Sequence, residues 1–282
     1  MKKLYGVIGN PIAHSMSPAI HNDAFEALSI DSYYHAFNIA PEDLKVAVEG
    51  MKVIGIMGFN VTIPHKTAII PYLDEVDKLA TAIGAVNTVV RKEDKWVGHN
   101  TDGPGFIIGL KNAWKQNLHN EKVLMIGAGG AAKAIFYSLA AEGVKEIDIC
   151  NRTVTKAQKL IDHCPFDCQG NAFTLEEAAH KLADYTLIIQ TTSIGMSPYL
   201  ENMPISLKHL QRNTFVTDII YNPLETAFLR EARKKGAKTQ NGLDMFVYQA
   251  ALAFEKWTGF KPQTERMKKI VITHLGGNHV NR

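Results

Sequence analysis

Long apolar runs are missing from this 282-residue chain. None approaches the roughly 18 residues that a membrane-spanning helix needs, so no membrane segment is expected. Charge of one sign is also scarce: 31 Lys and Arg stand against 28 Asp and Glu, a formal balance of +3. No window concentrates basic residues into a stripe that would neutralise a row of phosphates, which excludes nucleic acid as an expected partner. Cysteine is rarer still. Cys150, Cys164 and Cys168 are an odd number in a chain of this size, unlike a secreted disulfide framework, so a reducing, cytoplasmic setting is expected. His163 lies beside Cys164 and Cys168, but no second Cys/His pair at matching spacing completes a structural zinc site, and no metal is expected. The N-terminal apolar stretch from Leu4 is interrupted by Gly6 and Gly9, too early for a signal-peptide core.

What is present is enough apolar residue, 46%, to bury a sizeable core, in a length that suggests two domains. Short apolar runs alternate with helix-like segments from Leu4 to Ile63, the rhythm of β-α-β-α units and a mainly parallel sheet. A second series starts at Lys122 and continues through strands at Glu146–Cys150, Tyr185–Gln190 and Phe215–Ile219. The polar stretch from Asn112 to Asn120 separates the two. After Gly242 the chain reads as two helices, Leu243–Trp257 and Thr264–Leu275, the second with a Lys-rich face. The expected fold is therefore α/β: two open α/β domains, residues 1–101 with 242–282 forming one and residues 102–241 the other, with a cleft between them.

Gly127, Ala128, Gly129, Gly130, Ala131 and Ala132 follow a predicted strand and open a predicted helix, the context that gives the G-x-G-x-x-G/A pattern its meaning. Glycines there let backbone approach a pyrophosphate, and the helix N-terminus offers free N–H groups and partial positive charge. This marks the second domain as Rossmann-like. About 20 residues on, an NAD site usually places an acid for the ribose 2′-hydroxyl. This chain has Asn151, Arg152 and Thr153 there, then Lys156. Two cations and no carboxylate favour a 2′-phosphate, hence NADP.

Three further polar clusters stand at the ends of apolar runs, where ligands bind in open α/β sheets. They read GNPIAHSMSP, FNVTIPHK, and GAVNTVV followed by NTDG. Taken singly each has an ordinary structural reading: serines before Pro18 cap a helix, Asn87 closes a turn, Lys66 begins a helix. Together with GAGGAAKA, NRT, TTSIGM, DIIYNP and NGLDMFVYQ, in this order across most of the chain, they resemble the shikimate dehydrogenase family.

That resemblance implies reversible reduction of 3-dehydroshikimate to shikimate by NADPH, a step toward aromatic amino acids. Carried over by residue, it assigns Ser15 and Ser17 to the substrate carboxylate and Thr62, Asn87, Asp102 and Gln249 to its ring hydroxyls. Lys66 and Asp102 become the catalytic pair. Thr192, Met196, Ile219 and Gly242 lie along the cofactor, and Tyr221 reaches toward the substrate. The chemistry agrees: hydride transfer to a ketone leaves an alkoxide, which needs a proton donor or positive charge beside it. A lysine ammonium supplies both, and a neighbouring carboxylate holds it.

Gln190 departs from the family pattern, which usually has asparagine there. His65 offers an alternative base, ranked below Lys66. Two rival functions stay open: a quinate or dual quinate/shikimate dehydrogenase with NAD use, and a non-catalytic NADP-binding sensor of the same fold. Monomer and homodimer are both compatible with the sequence.

Overall fold

Two alternations of apolar strand and amphipathic helix fold into two separate units in the computed structural model, which describes residues 2–277. One unit runs to Gly105 and resumes at Val247; the other is Phe106–Phe246. The chain passes from one to the other inside two helices, close to the residues where the sequence pattern changes.

The first unit contains, in chain order, β1 (Lys3–Gly9), α1 (Ser17–Ala27), β2 (Ser32–Asn38), α2 (Leu44–Val53), β3 (Ile56–Val61), α3 (His65–Ala68), β4 (Glu75–Val76), α4 (Lys78–Ile83), β5 (Thr88–Lys92), β6 (Lys95–His99) and the start of α5 (Asp102–Ala113). Its sheet has the order β2-β1-β3-β5-β6-β4. The β1–β2, β1–β3 and β4–β6 pairs are parallel, and the β5–β6 hairpin adds antiparallel pairs. Strand β1 is apolar on both faces because both are covered. Tyr5 and Val7 pack on one side with Phe25, Tyr34 and Phe254; Ile8 packs on the other with Phe59 and Val89. Each such buried Ile or Phe contributes roughly 1.5–3 kcal/mol. Helix α1 opens on Pro18, whose fixed φ suits a first turn. Helix α4 is bounded at both ends: the Asp77 carboxylate accepts the Ala80 N–H at 2.7 Å, and Gly84 takes the left-handed conformation, φ 70°.

The second unit holds the rest of α5, then β7 (Lys122–Ile126), α6 (Gly130–Ala141), β8 (Glu146–Cys150), α7 (Val154–Asp162), β9 (Ala172–Phe173), α8 (Leu175–His180), β10 (Leu187–Gln190), β11 (Phe215–Asp218), α9 (Ala227–Lys234), β12 (Lys238–Gln240) and the start of α10 (Leu243–Thr258). Helix α11 (Thr264–Gly277) then closes the first unit against α1. The second sheet is parallel throughout, in the order β9-β8-β7-β10-β11-β12. Numbered within the unit this is 3-2-1-4-5-6, the dinucleotide-binding arrangement, and its order reverses between β7 and β10. Ligands bind beyond the strand ends at such a reversal.

All three cysteines are free thiols, with Cys150 buried. Among the described residues no group of three or more His, Cys, Asp or Glu side chains is arranged to hold a metal ion, and no helix is long and apolar enough to cross a membrane.

Candidate active site

In the first unit the polar residues at the ends of β3, β5 and β6 meet in one hydrogen-bond network. Strand β3 leads through Thr62 into the short α3, which carries Lys66; the Lys66 carbonyl accepts the Val86 N–H at 2.8 Å. Asp102 starts α5, its N–H bonded to Asn100 Oδ1 at 3.1 Å. Lys66 Nζ donates to Asp102 Oδ2 at 2.6 Å, and Asn87 Nδ2 donates to Asp102 Oδ1 at 2.7 Å. Both carboxylate oxygens are therefore engaged. The ammonium has three N–H donors, so two remain for a ligand. The side chains of Lys66 and Asp102 are 32% and 14% exposed, reachable but largely shielded, a setting that strengthens an ion pair relative to water.

Asn87 is oriented from behind. Its Oδ1 accepts the Thr101 N–H at 2.8 Å, so its NH2 group must face Asp102. Thr88 Oγ1 donates to the same Oδ1 at 3.0 Å and accepts from Asn60 Nδ2 at 3.1 Å. Asn60 Oδ1 in turn accepts the Tyr34 hydroxyl at 2.7 Å. Tyr34 is fully buried, and burial raises its pKa well above the usual value, keeping it a neutral donor. The Ser17 side chain hydrogen-bonds the same phenol, which links a predicted carboxylate-binding serine to the network.

The remaining predicted residues of this unit lie around it. Ser15 Oγ accepts the Ser17 N–H at 3.3 Å. Thr62 packs on Gly9, where a Cβ would stand 2.5 Å from Thr62 Cγ2, so Gly9 allows β1 and β3 to end side by side. Gly105 plays the same part between α5 and α10, since a Cβ there would meet the Gln249 backbone N at 2.5 Å. Gln249 is thus held against the turn of helix that begins at Asp102. His65 points away: it is 1% exposed, with Nε2 2.8 Å from the Ile39 carbonyl, so it braces the loop after β2. Sequence reasoning assigned nothing to Tyr34, Asn60, Thr88 and Thr101. Asn60 carried a usable signal, because a polar side chain inside the buried strand IMGFNV must have a buried partner.

The second unit builds its site mainly from backbone. Gly127 follows β7 with φ +112°, and a Cβ there would meet Thr191 Oγ1 at 2.6 Å. A Cβ on Gly129 or Gly130 would meet nothing within 4 Å, so open space faces the start of α6. Helix α6 has no side-chain cap and no acid in its first turn, leaving its amide groups to an anion. These features fit a dinucleotide pyrophosphate. After β8, Asn151 Nδ2 donates to the Thr153 carbonyl at 2.9 Å, shaping the turn that exposes Arg152, Thr153 and Lys156. Of the two carboxylates within β8, Glu146 stands at the strand's start and pairs with Lys122 at 3.1 Å, and Asp148 is buried and committed to the Tyr185 hydroxyl at 2.8 Å and the Asn171 N–H at 2.7 Å. No acid stands in the first turn of α7, and the cations suit a 2′-phosphate.

Thr192 and Met196 lie on the loop after β10, with Thr192 beside Gly127. Gly242 packs on the end of β11, where a Cβ would stand 1.9 Å from the Ile219 carbonyl oxygen; glycine is required there. Tyr221 stacks on Phe246 with ring centroids 4.6 Å apart, and burial raises its pKa. Asp218, fully buried at the end of β11, is pushed up to about 6 by burial, against hydrogen bonds from the Ile220 N–H, the Thr226 hydroxyl and Gln190.

Residues 7–89 match the model of the shikimate dehydrogenase substrate binding domain, residues 109–223 that of shikimate / quinate 5-dehydrogenase, and residues 242–272 the shikimate 5'-dehydrogenase C-terminal domain. The chain is 57% identical over 277 residues to shikimate dehydrogenase (NADP(+)) of Bacillus cereus strain AH187, covering 98% of this chain and 100% of that one. Its structure is similar to a crystal structure of a shikimate dehydrogenase in complex with NADP+, with 41% identity, 97% and 96% coverage and a TM-score of 0.90. It is also similar to shikimate 5-dehydrogenase from Listeria monocytogenes in complex with shikimate and NAD, at 36% identity, 96% coverage of both chains and a TM-score of 0.91.

Proposed function

The chain belongs to the shikimate dehydrogenase family, and from that premise we infer how its residues divide the reversible reduction of 3-dehydroshikimate to shikimate by NADPH. The enzyme is an NADP-dependent oxidoreductase of aromatic amino acid biosynthesis. NADPH, when bound, supplies the hydride. We assign the rest to side chains. Ser15 and Ser17 donate to the substrate carboxylate; Thr62, Asn87, Asp102 and Gln249 hold the ring hydroxyls. Lys66 faces the ketone oxygen, where negative charge develops as the carbonyl is reduced. The observation that carries this reading is the Lys66–Asp102–Asn87 arrangement, in which Asp102 is locked at both oxygens while Lys66 keeps two free donors. Such an ammonium stabilises the transition state more than the neutral ketone, which raises kcat rather than affinity alone.

On the cofactor side we assign the pyrophosphate to Gly127, Ala128, Gly129, Gly130 and Ala131. The adenosine phosphate goes to Asn151, Arg152, Thr153 and Lys156, and the remainder of the dinucleotide to Thr192, Met196, Ile219 and Gly242. Tyr221 completes the substrate contacts. The free cysteines suit the cytoplasm, where we place the enzyme, as monomer or homodimer.

A second reading, action on quinate or use of NAD, draws support from the joint shikimate/quinate name of the central match. Arg152 and Lys156 weigh against NAD. The sensor reading has no support, since Lys66 and Asp102 are both present and paired. The test is NADPH absorbance with shikimate or quinate paired with NADP or NAD, for wild type and Lys66→Ala. Strong turnover of shikimate with NADP alone, lost in the variant, is expected. Quinate turnover with NAD at a comparable rate would move the enzyme to the second reading.

A further inference from the structure

Gln190, the last residue of β10, is fully buried, yet its side-chain amide bonds almost entirely to the few residues that follow it. Its Oε1 accepts the Thr192 N–H at 2.5 Å, and its Nε2 donates to the carbonyls of Thr192 and Ile194 at 3.1 and 3.2 Å. The Thr192 N–H is a donor, so the amide orientation is determined: oxygen toward that N–H, nitrogen toward the two carbonyls. The turn is closed further by Thr192 Oγ1, which accepts the Ile194 N–H at 3.2 Å. It is tied to β7 by Thr191, whose N–H and hydroxyl both reach the Ile126 carbonyl, at 2.9 and 2.7 Å.

The location matters as much as the bonding. Strands β7 and β10 are neighbours at the reversal of strand order, so the turn after β10 stands beside the glycine loop after β7. A Cβ on Gly127 would lie 2.6 Å from Thr191 Oγ1 and 2.9 Å from Thr192 Cγ2, which puts the turn in direct contact with the first fingerprint glycine. A free loop here would have to be ordered when the dinucleotide binds, at a cost in affinity. We propose that Gln190 is a positioning residue for the cofactor: its side chain is the template on which the turn from Thr191 to Met196 is folded in advance against the glycine loop. This rests on the reading of Thr192 and Met196 as cofactor-lining residues.

Gln190→Ala removes the three bonds to the turn together with the hydrogen bond to Asp218, whereas Gln190→Asn keeps an amide one methylene shorter. Expected for Gln190→Ala is a rise of about tenfold in KM for NADP, with KM for shikimate within about twofold. Expected for Gln190→Asn is a smaller rise in the same direction, and this variant carries the test if the alanine variant does not fold. Titration by NADPH fluorescence reads the same affinity without turnover, so failure of the assigned reaction is distinguishable from failure of this proposal. Hydrogen–deuterium exchange across residues 191–196, without ligand, must also be faster in both variants. A parallel rise in both KM values, or lost stability with neither KM changed, would reduce Gln190 to a structural residue. Faster exchange with unchanged NADPH affinity would remove the turn from the cofactor site.

Discussion

The two units offer groups of different kinds for the proposed ligand contacts. In the first unit the proposed chemistry lies in side chains, each locked by another: Tyr34 on Asn60, Asn60 on Thr88, Thr88 on Asn87, Asn87 on Asp102, Asp102 on Lys66. In the second unit the groups aimed at a ligand are backbone amides at an uncapped helix start, with exposed cations nearby. A group that must stabilise charge at one atom has to be fixed in place, because reorganisation during the reaction would consume its advantage. A group that grips a pyrophosphate gains most from close backbone approach, which glycine permits. Within the second unit Gln190, like Asn151, is a side chain that organises backbone.

The sharpest test of this contrast is Lys66→Ala. It is expected to lower kcat by about a thousandfold, roughly 4 kcal/mol, with little change in KM for shikimate or NADP. A large KM rise with kcat intact would make Lys66 a binding residue and erase the contrast.

The next tests use buried titratable groups, which give the units opposite pH signatures. The folded Asp218 holds its proton up to about 6 against an ordinary value of 3.8. The native state therefore binds more protons than the unfolded chain between those values. Its contribution is complete below the lower value and is lost as pH rises through the upper one, about 3 kcal/mol in all. Asp218→Asn should flatten the stability profile between pH 4 and 6, roughly this window; an unchanged slope in denaturant titrations would refute the assignment.

His21 behaves in the reverse sense. It is fully buried against Tyr34, with centroids 4.5 Å apart, neither ring nitrogen has a hydrogen-bond partner, and burial lowers its pKa from 6.5 to about 3. Its contribution is complete above 6.5 and is lost as pH falls, about 2 kcal/mol by roughly pH 5. His21→Phe should remove that acid sensitivity; a variant as acid-labile as wild type would transfer the effect to other groups. Smallest is Arg152→Ala, expected to weaken NADPH about tenfold while leaving NADH nearly unchanged. Equal losses for both would remove the 2′-phosphate assignment.

Much of this was legible in the chain before folding. The apolar alternation marked two α/β units, and the glycine pattern after a strand marked the proposed dinucleotide site, because both signals lie within a few neighbouring residues. The β5–β6 hairpin was not read, since Thr88–Lys92 and Lys95–His99 are short and flank two charged turn residues, Glu93 and Asp94. Nor was the network behind Asn87. Asn60 meets Thr88 because β3 and β5 pair antiparallel with those two residues in register, 28 positions apart in the chain. His65 was offered as a base by its type and neighbourhood, and packing turned it to the Ile39 carbonyl.

The sequence by itself determined which residue types were available and where local geometry had to be permissive: glycines at 127, 129 and 130, cations at 152 and 156, a lysine after a buried strand. Tertiary structure alone decided who faces whom, that Asp102 is held at both oxygens and that Gln190 shapes the turn against Gly127. The physical reason is range. Backbone conformation is set within a few residues, whereas hydrogen-bond partnership in a buried site is set by strand register and helix packing, which only the folded chain has.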